Sequence, residues 1–148
     1  MRRLTRRKLK RLIDQDRVVK AIGEAENETS GEIRVSVAPF FWGRVEKAAW
    51  HAFARLGMTN TAERNGVLIF VVPSRRRFVV LGDEGIHQKV GQDFWEGVAA
   101  AMSGKFRKRD FTGGLVHGIE EIGRRLKTHF PHRPDDVDEL PDEVDFGE

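Results

Sequence analysis

Cysteine is missing from this chain, and with it go disulfides, thiolate nucleophiles, zinc fingers and iron–sulfur clusters held by cysteine. Any metal must be held by oxygen or imidazole. Long apolar runs are missing too. No stretch approaches the ~20 apolar residues that a membrane helix needs, and the arginine-rich start is not followed by the apolar region of a signal peptide. The expectation is a soluble, cytoplasmic protein. Histidines are few: His51, His117, His129 and His132 show no metal-ligand spacing, and none is paired with a candidate serine, so histidine-dependent nucleophilic catalysis is not supported.

What is present is a charge dipole. Residues 1–20 carry nine Lys/Arg against two Asp, and residues 131–148 carry one Arg against eight Asp/Glu. The formal net charge of +3 therefore hides a basic start and an acidic end that nearly cancel, which argues against the nucleic-acid partner that a high pI would otherwise suggest. The 148 residues suffice for one ordinary core. The expected organisation is a basic arm over residues 1–13, one domain over 14–131 and an acidic tail over 132–148 without a fold of its own. The arm is a candidate for peripheral contact with anionic lipid, or for contact with the tail.

Within the domain, Val18, Val19 and Ile22 give a short surface helix with Asp16 as its expected N-cap. Gly31 opens Glu32-Ile33-Arg34-Val35-Ser36-Val37, whose strict alternation predicts a strand with one buried face. Val45 to Leu56 has a single apolar face and stops at Gly57, as a crossover helix should. Asn65-Gly66 introduces Val67 to Val72, six apolar residues without alternation, predicting a central strand covered on both faces. Pro73 and Ser74 turn the chain into a returning strand, Phe78 to Leu81. A long helix is expected from Ile86 to Phe106, then a cap around Asp110 to Thr112 and a final amphipathic helix ended by Pro131.

Strand, helix, strand between Ile33 and Val72 makes a βαβ unit, so those two strands should be parallel and the hairpin strand antiparallel. Gly31-Glu32, Asn65-Gly66 and Gly82-Asp83-Glu84 then gather at one end of the sheet. Phe40, Phe41 and Trp42 gather with Arg75, Arg76 and Arg77 at the other. One end is acidic, the other basic and aromatic.

The motifs Thr29-Ser30-Gly31-Glu32-Ile33, Asn65-Gly66-Val67-Leu68-Ile69, Leu81-Gly82-Asp83-Glu84-Gly85-Ile86 and Phe111-Thr112-Gly113-Gly114-Leu115 occur in the order and spacing of the TPM domain. From about Asp16 to Phe130 the chain resembles the small, soluble bacterial branch of that family. The resemblance implies an α/β fold, a three-layer α/β/α sandwich with a small mixed sheet. It also implies a divalent cation, Ca²⁺ or Mg²⁺, and weak phosphatase activity. Where the family commonly has an aspartate, this chain has Asn65.

Glu32, Asn65, Asp83 and Glu84 are accordingly the candidate metal ligands, since hard cations take oxygen. Asp83 and His87, one helical turn apart, are the candidate catalytic pair. The bland alternative is that Asp83 or Glu84 simply caps the following helix. The competing functional reading is a non-catalytic interaction module, with a protein partner docking on Phe40, Phe41, Trp42, Arg75, Arg76 and Arg77 or on the charged tails.

Overall fold

The computed structural model describes residues 5–135 and 139–147; the parts of the arm and tail at 1–4, 136–138 and 148 lie outside the described residues. The elements run α1 (Arg6–Leu12), α2 (Gln15–Glu26), β1 (Glu32–Val37), α3 (Val45–Arg55), β2 (Gly66–Val72), β3 (Arg77–Gly82), α4 (Glu84–His87), α5 (Gln92–Arg107) and α6 (Phe111–His129), with a 3₁₀ turn at Pro73–Arg75.

The sheet order is β1-β2-β3, with β1–β2 parallel and β2–β3 antiparallel, which is the βαβ unit plus hairpin expected from the pattern. Glu32 pairs with Gly66 and Val67 with Gly82, so the two strand starts and the third strand's end do meet at one end of the sheet. β2 is buried along all seven residues because both faces are covered. On one face Ile33, Val35, Val37, Val67, Ile69 and Val71 pack against α2, α5 and α6. On the other, Leu68, Phe70, Val72 and Leu81 pack against Val45, Ala49, Ala52 and Phe53 of α3. The architecture is an α/β/α sandwich.

Four sequence expectations change. The helix N-cap before Val18 is Asp14, not Asp16: its carboxylate accepts from the Arg17 amide at 3.2 Å. The expected helix 86–106 is two helices, because Gly91 sits in extended backbone (φ −99°, ψ −175°) and starts α5 afresh. Gly85 in α4 is pressed against the carbonyls of Glu63 and Arg64, where any Cβ would collide, so the short helix is held hard against the loop before β2. The basic arm contributes to the core: Thr5 caps α1, and Leu9 and Ile13 are buried.

The fourth change concerns β1, where the alternation predicts one wet face yet all six residues are buried. The acidic tail covers the polar face. Ser36 bridges to Asp145 in parallel; the Val37 amide donates to the Asp145 carbonyl at 2.8 Å, and the Asp145 amide to that of Val35 at 2.9 Å. Segment 144–146 thus acts as an extra edge segment, with Val144 and Phe146 in the large core and Leu140 in the small one. The Asp145 carboxylate accepts from Ser36 (2.8 Å) and from both Arg55 nitrogens (3.2 and 2.6 Å). Burial raises its pKa, but those bonds outweigh burial and hold it below the usual carboxylate range. Arm and tail also meet directly, since Arg6 donates to the carbonyls of Phe146 (3.1 Å) and Gly147 (2.9 Å).

Candidate functional site

At the acidic end the strand-to-helix turn is built as a cap. Asp83, extended at φ −71°, ψ 170°, accepts from the Glu84 amide at 2.8 Å and so starts α4. Its carboxylate is buried and held in a fork by Arg64, with Nε to Oδ2 at 2.6 Å and Nη2 to Oδ1 at 2.8 Å. Arg64 also reaches Glu84 at 3.3 Å. Its guanidinium pKa is raised, first by the hydrogen bonds to Asp83. Arg64 takes this position from a left-handed backbone (φ 52°), immediately before Asn65. The arginine therefore supplies, from within the chain, the positive charge that two neighbouring carboxylates need.

The other candidate ligands are divided. Asn65 is buried, its Nδ2 donating to the Ser30 carbonyl at 3.3 Å while its Oδ1 has no hydrogen-bond partner. Such an orphaned buried acceptor is the exception that a ligand would explain. Glu32 points elsewhere: its Oε1 accepts from the amides of Glu139 and Leu140 (3.1 Å to Leu140), fixing the tail. Glu26 stands close by. Its carboxyl accepts from the Ile33 amide at 3.0 Å, and its pKa is pushed up to about 10, first by burial and then by a hydrogen bond with Asp142. Burial and the facing Asp142 carboxyl thus favour the protonated form of Glu26, whose hydroxyl can donate to Asp142. Among the described residues no group of three or more His, Asp or Glu is gathered around a common point for a metal ion.

His87 is exposed and its ring lies against Trp95, centroids 5.1 Å apart. Its link to Asp83 is a backbone one, amide to carbonyl at 3.4 Å, so the candidate acid and base are not joined through their side chains.

The basic end is built differently. Arg75 lies over the Phe41 ring at 5.3 Å, and Phe40 meets Trp42 edge-on at 5.5 Å. Trp42 is 81% exposed, the most exposed large apolar side chain among the described residues. Arg77 lies between this edge and the α5–α6 side, lining the hollow beside Phe41 and Arg75 and, with Arg76, a cavity of about 350 Å³ at the carboxyl end of β2. Sequence order does not group them with Arg107, Arg109, Phe106 and Phe111, which come from the α5–α6 corner and complete that wall. Arg64 was equally hidden; its signal was adjacency to Asn65 in a turn facing Asp83.

Known proteins share this architecture. The solution structure of BA42 from the psychrophilic bacterium Bizionia argentinensis superposes with a TM-score of 0.86 at 41% identity, covering 90% of this chain and 92% of that one. The N-terminal domain of cg2496 from Corynebacterium glutamicum superposes at 0.60 with 14% identity, covering 87% and 75%, and shares the fold. No curated protein matches the chain. The sequence profile of the TPM domain matches residues 9–125, and the chain belongs to the TPM domain family.

Proposed function

We propose that this TPM domain binds a divalent cation, Ca²⁺ or Mg²⁺, at its acidic end in competition with Arg64. The observation that carries the reading is the buried, unpartnered Oδ1 of Asn65, next in the chain to the arginine that holds the carboxylates of Asp83 and Glu84. Asn65, Asp83 and Glu84 fit a hard cation by their oxygen chemistry; Glu32 does not, because its carboxylate anchors the tail. With only two carboxylates and a resident guanidinium to displace, affinity should be weak, on the order of 10⁻⁴–10⁻³ M. A bound cation could polarise a phosphate ester, and weak phosphatase activity would rest on that.

Calorimetric titration of Ca²⁺ into metal-free wild type, Arg64→Ala and Asp83→Ala tests this. Saturable heat should appear in wild type, tighten by roughly tenfold once the competing arginine is removed, and vanish without Asp83. No heat in either wild type or Arg64→Ala would sink the reading. Any turnover of p-nitrophenyl phosphate should disappear in Asp83→Ala.

Trp42 favours a second reading, a docking surface for an acidic peptide segment with apolar anchors, because the exposed indole sits near Arg44, Lys47 and Arg75. A synthetic peptide alternating Glu with Leu should shift Trp emission in wild type and not in Trp42→Ala. Equal response to the Lys-for-Glu peptide would defeat it.

A further inference from the structure

The cavity at the carboxyl end of β2 is lined by four arginines, Arg76, Arg77, Arg107 and Arg109, and, among the described residues, by no Asp, Glu or His. None of the four has an ion pair with a described residue, whereas Arg55, Arg64, Arg124 and Arg125 all do. Two of them, Arg76 and Arg109, sit in left-handed backbone (φ 54° and 63°), where glycine or asparagine is easier to accommodate. Long basic side chains are thus held at both turns that face the cavity, against the local backbone preference.

The interior wall is apolar and aromatic. Phe78 meets Phe106 edge-on at 5.0 Å, and Phe106 lies 6.1 Å from Phe111, so three rings from β3, α5 and α6 form one surface beneath the arginines. The volume lies at the lower end of the range for small-molecule sites. The carboxyl end of parallel strands is where open α/β sheets hold ligands. The C-terminus of α5 brings about half a negative charge to this place, and four guanidiniums outweigh it.

We propose that this cavity binds a small aromatic phosphomonoester, its ring against Phe78, Phe106 and Phe111 and its phosphate among the four arginines. A phosphate dianion suits planar guanidinium forks, which bind its oxygens in pairs. A carboxylate would leave most of that charge unanswered. The site binds without reacting: the Ser103 hydroxyl donates to the Ala99 carbonyl at 2.8 Å, and no carboxylate or imidazole in the described lining could activate it. It is independent of the cation reading, because none of its residues lies at the acidic end.

The test is an amide chemical-shift titration of the full chain with three probes: 1-naphthyl phosphate, 1-naphthol and inorganic phosphate. Saturable shifts at Ser103, Phe106 and Phe111 are expected with 1-naphthyl phosphate, with each fragment at least tenfold weaker. The double variant Arg77→Glu/Arg107→Glu should weaken the ester at least tenfold while leaving remote amides unmoved. Ser103→Phe, which fills the cavity without altering its charge, should do the same. Absence of saturable shifts in wild type overturns the proposal, and so does equal binding of inorganic phosphate, which would mark a bare anion surface. Unweakened binding in Ser103→Phe would place the ester outside the cavity and overturn it as well.

Discussion

The two ends of the sheet treat charge in opposite ways. At the acidic end Asp83 is matched by Arg64 and a helix amide, Glu32 by two tail amides, and Glu26 by the proton that burial favours on it. At the basic end Arg76, Arg77, Arg107 and Arg109 face a cavity with no ion pair to a described residue. The first arrangement is what stability selects, since a buried unpaired charge is expensive. The second does nothing evident for stability, and exposed arginines with no ion pair to a described residue can meet a ligand.

The largest expected effect that would break this comparison lies with Glu26. Its proton is bound in the folded chain up to about pH 10, whereas an unfolded glutamate loses it near pH 4.5. Between those limits the native state holds the extra proton, so stability must fall as pH rises. The slope is bounded by about 1.4 kcal/mol per pH unit. Glu26→Gln can still accept from the Ile33 amide and donate to Asp142, mimicking the protonated acid. Urea unfolding at pH 5.5, 7 and 8.5 should show the wild type losing stability across the series and the variant holding level. Parallel curves would mean that Glu26 does not keep its proton in the folded chain.

Much of this frame was legible in the sequence, because it rests on local periodicity. The alternation of β1, the unbroken apolar run of β2 and the single-faced α3 specify a βαβ unit, and the hairpin follows from Pro73-Ser74. What escaped were contacts between distant segments. Glu32, Arg34 and Ser36 read as a solvent face, yet they are covered by a tail more than a hundred residues away, whose Leu140, Val144 and Phe146 are spaced as buried anchors within an acidic segment. Arg34 bears the cost: burial lowers its pKa, and its Nε has no partner. The acidic end could be located but its internal cation could not, since nothing local marks Arg64 as the residue that reaches Asp83. The basic cavity was half visible, through Arg75 to Arg77. Its other half comes from a helix corner that only packing of α5 on α6 brings near.

The smallest expected effects are also the most discriminating, because they set the two ends side by side. Asp83→Ala removes a helix cap and the carboxylate that holds Arg64, which should cost about 1–2 kcal/mol in urea unfolding. Asp83→Asn keeps an oxygen for the Glu84 amide but loses the charge, and should recover the cap's share of that loss. Arg107→Ala, on an exposed position with no ion pair to a described residue to lose, should stay within about 0.5 kcal/mol of wild type. If the arginine change proved no less costly than the aspartate change, Arg107 would be a structural residue, and the basic end would serve the fold just like the acidic one. If Asp83→Ala proved neutral, the ion pair with Arg64 would be an exposed contact of little value, and the acidic turn would be open to a cation at no cost in stability.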